Sequence, residues 1–108
     1  MTHSEFRKIV DNAIERIKIT LQTKQQEYAT DDALHNFKEK ITDNETESPS
    51  QVAWGYMRKH LVSIKDLING TKRPTPLLIN EKIGDAVNYL ILLEALFYES
   101  LAETKPSA

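Results

Sequence analysis

Helix breakers are so sparse in this chain that long helices are the regular structure it is best able to build. Its 108 residues include three glycines and four prolines, and the prolines stand at 49, 74, 76 and 106. A proline inside a helix costs about 3 kcal/mol, and strands need turn signals at short intervals. Neither obstacle interrupts the spans around residues 4–28, 50–69 and 77–102. The sequence therefore predicts an all-α protein, a small bundle of three long helices and one short helix, folded as a single domain over residues 1–108.

Apolar spacing supports the same division. Phe6, Val10, Ala13, Ile14, Ile17 and Leu21 recur at three- and four-residue steps, which puts them on one face of a first helix from about Ser4, its expected cap, to Tyr28. Ile19 falls off that face, at a candidate interface. "DDALHNFKEKI" predicts a short second helix capped by Asp31 or Asp32, with Ala33, Leu34, Phe37 and Ile41 inward. The polar, acidic stretch at about 42–48 predicts a flexible loop. A third helix is expected from about Pro49 to Asn69, capped by Ser48, with Ala53, Trp54, Met57, Leu61, Ile64, Leu67 and Ile68 inward and Gly70 as its stop. "TKRPTP" reads as a connector. The fourth helix, about Leu77 to Ala102, is apolar nearly all round and is expected to be central and buried, with a frayed tail at about 103–108.

Composition narrows the function classes. The net charge is -2, with 14 basic and 16 acidic residues and no long basic run. Duplex binding depends on neutralising phosphates with Lys and Arg, so a duplex nucleic-acid partner is not expected. No cysteine is present, which excludes disulfides and thiolate metal sites. The first 18 residues carry charges throughout and do not read as a signal peptide, and no apolar run reaches membrane-spanning length. A soluble, cytoplasmic protein with no membrane partner is expected. The apolar fraction of 40% is lean for a small domain, which favours a homo-oligomer.

Candidate chemistry concentrates in "NEKIGDAVNYLILLEAL", residues 80–96. Glu81, Asp85, Asn88, Leu92 and Leu96 share one narrow stripe by helical spacing. If the leucines face a core, the carboxylates face the same way near one end of it, and buried carboxylates must be paired, metal-bound or wet. Two carboxylates at i and i+4 suit a shared hard cation such as Mg²⁺. The alternative is a solvent-exposed helix start whose charges pair with nearby lysines, and acidic residues suit any first turn through the helix dipole. On the third helix His60 falls within the apolar arc, with Lys59 on its flank. Either stands as a phosphate contact, or His60 is a hydrogen-bonded core residue and Lys59 a solvated one. Lys24 and Tyr28 continue the first helix's stripe where its apolar character fades, with Glu27 at the edge.

These residues together resemble a known group. Glu81, Asp85, Asn88 and Tyr89, with Lys24, Glu27-Tyr28, Asn36-Phe37, Lys59-His60 and Ser63, look like the pattern of the all-α nucleotide pyrophosphatases, the MazG-like group, and of small phage and prophage helical proteins. The resemblance implies Mg²⁺-dependent binding of a nucleoside triphosphate, and pyrophosphohydrolysis between its α and β phosphates. It implies Glu81, Asp85 and Glu27 as metal ligands, and Lys59, His60, Asn88, Tyr89, Lys24 and Tyr28 as nucleotide contacts. It also implies a bacterial host's cytoplasm as the setting. The group's E-x-x-E motif has no counterpart in this sequence, and its E-x-x-D is replaced by the E-x-x-x-D of Glu81 and Asp85. The competing expectation is a non-catalytic helical oligomer that binds a phage or host protein.

Overall fold

A computed structural model of the chain describes residues 1–27, 32–39 and 48–104, with the side chains of 24–27, 39 and 104 left undescribed. It is all-α: α1 His3–Glu27, α2 His35–Glu39, α3 Pro49–Ile68 and α4 Pro76–Thr104, with no strand among the described residues. The expected three long helices and one short helix are therefore present.

Local chemistry sets the helix ends. α1 starts one residue before the expected cap, because Thr2 rather than Ser4 takes that role: its Oγ1 accepts from the Glu5 amide at 3.1 Å. Asp32 stands ahead of α2 in an Asx turn, its Oδ1 accepting from the Leu34 amide at 3.0 Å and its carbonyl from the His35 amide at 3.2 Å. α3 opens with a reciprocal capping box, in which Gln51 N–H donates to Ser48 Oγ and Ser48 N–H donates to Gln51 Oε1. It closes at Gly70, whose φ of +78 is left-handed, while Thr71 N–H reaches back to the Asp66 carbonyl at 3.0 Å. α4 begins at Pro76, inside the expected connector, because Thr75 Oγ1 accepts from the Leu78 amide at 3.1 Å and proline fits the first helical position. It runs on to Thr104, past the expected end at Ala102.

The core is small and lies where α2, α3 and α4 meet. Ala53 is fully buried, and Leu34, Phe37 and Leu96 close around it. Met57 of α3 and Ala86 of α4 are buried as well. Small residues at 53 and 86 suit a close approach of two helices.

Burial departs from the sequence expectation on all three long helices and just ahead of α2. The apolar face of α1 is largely uncovered: Phe6, Val10 and Ile14 are exposed, and Ala13, Ile17 and Leu21 are half-buried. α4 is not buried all round, because Leu90, Phe97 and Leu101 stand exposed on the side away from Leu92 and Leu96. On α3, Trp54, Leu61 and Ile68 are exposed, and Ala33, expected inward on the second helix, lies exposed in the turn before α2. In each case the helical period was read correctly, but no element of the described chain lies over that part of the face. Asp31, Ile41 and the expected loop up to residue 47 lie outside the described residues, as does the tail from 105.

Candidate functional site

The antiparallel reach of α3 and α4 brings His60, Asp85 and Tyr89 together. His60 Nδ1 lies 3.7 Å from Asp85 Oδ2. The His60 ring stacks on Tyr89 at 5.6 Å between centroids, and Tyr56, one turn earlier on α3, stacks on the same tyrosine at 6.1 Å. Phe37 of α2 meets Tyr89 edge-on at 6.5 Å. Tyr89 is thus the hinge of an aromatic cluster built from three helices, and His60 and Asp85 sit at its polar end.

α1 crosses this end of α4 and leaves a cleft of about 210 Å³ between them. Ile17, Ile83 and Val87 give it apolar walls, and Arg16, Asn80, Asp85 and Asn88 give it polar groups. The Arg16 guanidinium donates to Asn80 Oδ1 across the two helices. Asn88 is 6% exposed, and its Oδ1 has no hydrogen-bond partner among the described residues. A buried amide oxygen left so costs about 1–3 kcal/mol. A concave, mostly apolar cleft with a few convergent polar groups is the common form of a small-ligand site.

The remaining candidates are dispersed. Glu81 is exposed and pairs with its neighbour Lys82 at 3.3 Å, so the acidic stripe enters solvent one turn before Asp85. Lys59 is exposed beside Arg58 and Val62 and does not line the Asp85 cleft. Asn36 is exposed. Tyr28 lies outside the described residues, as do the side chains of Lys24 and Glu27. At the far end of α4, Lys38 bridges Asp32 at 2.7 Å and Glu99 at 2.8 Å. The Lys38 ammonium, followed by the Leu34 amide, holds the Asp32 carboxyl below its ordinary range, and Asp32 in turn raises Lys38.

As a cation site, the described residues supply two carboxylates at i and i+4, and no group of three His, Asp or Glu side chains gathers among them. Of the two, Asp85 alone lines the cleft, and Glu81 is turned to Lys82 in solvent. The Glu81–Lys82 contact is an exposed surface pair of little worth.

Arg16, Asn80 and Tyr56 were missed in the sequence. Arg16 lies on the flank of the α1 stripe, and nothing local distinguishes it from the other surface charges. Tyr56 lies one turn before His60, and that spacing was a usable signal. No known protein-family model, curated protein or solved structure matches the chain.

Proposed function

We propose that the chain binds a small nucleotide-type ligand in the cleft between α1 and α4, with a divalent cation such as Mg²⁺ shared by Asp85 and the ligand's phosphates. The observation that carries this reading is the buried Asn88 oxygen, without a partner among the described residues, on a cleft that also holds Asp85 and Arg16. An amino group on a base satisfies that oxygen. Arg16 supplies positive charge for a phosphate, and Asp85 supplies an oxygen ligand for the cation; Glu81 stands outside the cleft and joins only by leaving Lys82. His60 and Tyr89 do not line the cleft; His60 lies 3.7 Å from Asp85 Oδ2, with Tyr89 stacked on it. The resemblance to the MazG-like group supports the same ligand class. Pyrophosphohydrolysis is its extension, and needs a further ligand to help the metal position water; Glu27 is the candidate in this chain.

A thermal-shift scan with Mg²⁺ or Mn²⁺, with and without nucleoside and deoxynucleoside triphosphates, tests the proposal. A ligand at a hundred times its dissociation constant adds about 2.7 kcal/mol, a shift of many degrees for a chain this size. Asp85→Asn is expected to abolish the metal-dependent part while the protein stays folded. An unchanged shift in that variant removes Asp85 from the site.

The second reading is a non-catalytic helical oligomer that binds a phage or host protein. The specific observation behind it is the apolar surface left open on α1 and α4. A scan flat for every nucleotide favours it.

A further inference from the structure

We infer that a second copy of this chain covers the outer face of α4, each copy laying the N-terminal half of its α1 into the other's α4 groove. This stands apart from any ligand in the α1/α4 cleft.

Two uncovered apolar surfaces lie on the same chain. Leu90, Phe97, Tyr98 and Leu101 line a groove along the C-terminal half of α4, with Leu93 at its edge where the helix turns toward the Leu92 and Leu96 core contacts. Phe97 is 58% exposed and Leu101 61%. Every residue of α1 before Ala13 is exposed, including Phe6, Ile9 and Val10, which helical spacing places on one side. An isologous pair buries both surfaces twice with one contact geometry, because what docks on one copy is docked upon by the same element of the other.

The balance of exposed and buried apolar side chains argues for a copy of the chain rather than a transient partner. Among the described residues six apolar side chains are buried, whereas Phe6, Ile9, Val10, Leu90, Phe97 and Leu101 are exposed along these two surfaces. A permanent dimer interface resembles a core cut in half, and such cover supplies the apolar burial that the thin internal core lacks.

Charge agrees with the docking. Glu94 lines the groove, and Arg7 lies on the flank of the α1 stripe. Neither has an ion partner among the described residues. Seating α1 in the groove offers each a partner of opposite sign.

Sedimentation equilibrium of the full chain tests the inference. The expected mass is twice 12.4 kDa across the micromolar range. Phe97→Glu is expected to weaken the dimer at least tenfold, with far-ultraviolet circular dichroism reporting whether helices remain. Because a charge at 97 has a second route to damage through folding, the surface pair gives the independent arm. Arg7→Glu and Glu94→Arg should each weaken association several-fold, and the double variant should restore most of it. A folded monomer at these concentrations overturns the inference. So does a dimer indifferent to both single charge reversals.

Discussion

The imidazole of His60 lies nearly parallel to the ring of Tyr89, with 26° between their planes, and this contact ties the middle of α3 to the middle of α4. Offset aromatic pairs add about 0.5–1.5 kcal/mol beyond the area they bury. His60→Ala should therefore lower stability by about 1–2 kcal/mol in urea denaturation. His60→Phe keeps the ring and should recover most of that loss. If His60→Phe is as damaging as alanine, the Asp85 contact and not the stack is what holds the pair.

Asn88 offers a substitution expected to stabilise. Its side-chain oxygen is buried without a partner among the described residues, and Asn88→Leu removes an unmet acceptor while keeping the same branching and number of side-chain heavy atoms. Stability should rise by about 1 kcal/mol, visible as a higher midpoint at unchanged urea m-value. The same variant should lose any ligand that relies on that oxygen. A drop in stability would mean that the oxygen is already satisfied in solution.

The close packing of α3 on α4 depends on the size of residue 53. Ala53 is 0% exposed, and Leu34, Phe37 and Leu96 surround it. Ala53→Leu overfills the contact and should cost about 1–3 kcal/mol. For a chain of this length each kcal/mol lowers the thermal midpoint by roughly 4–8 °C. Ala53→Ser, smaller than leucine and open to hydrogen bonding with the preceding turn, should cost less.

Lys38 gives the fold a pH signature at both extremes. Asp32 is held below its ordinary 3.8, so its contribution is complete above that value and is lost as pH falls through the lowered one. Lys38 is raised above 10.5, so its contribution is complete below that value and is lost as pH climbs through the raised one. Both groups are about a third exposed, and the contacts are worth a fraction of a kcal/mol to about 1 kcal/mol. Urea midpoints across pH should show a plateau between these limits. Lys38→Met should flatten its acid and alkaline edges relative to the parent.

Helix ends were legible because their signals are local. Ser48 with Gln51, Pro49 at the first position, and Gly70 at the stop each act within a few residues of the boundary they set. Thr2 and Thr75 carry equally local signals, two residues ahead of the starts that the apolar spacing suggests at Ser4 and Leu77. Coverage was not legible. Periodicity gives a helix an apolar face, but it does not say which neighbour lies over it, and the open faces at Phe6 and Phe97 follow from the arrangement of the whole chain. The stripe through Asn88, Leu92 and Leu96 was read correctly, and Glu81 left it where the helix emerges into solvent. Arg16 and Asn80 meet across 64 positions of sequence, a distance no local pattern spans.

Trp54 is the chain's one tryptophan, and roughly half of it faces water in the folded state. Its native emission is therefore already that of a partly hydrated indole, and unfolding should shift the spectrum only slightly to the red. Intrinsic fluorescence will be a poor thermometer for this protein. It should instead respond to cover: whatever molecule comes to lie over that stretch of α3 will move the emission to shorter wavelength, without a label and without touching the core.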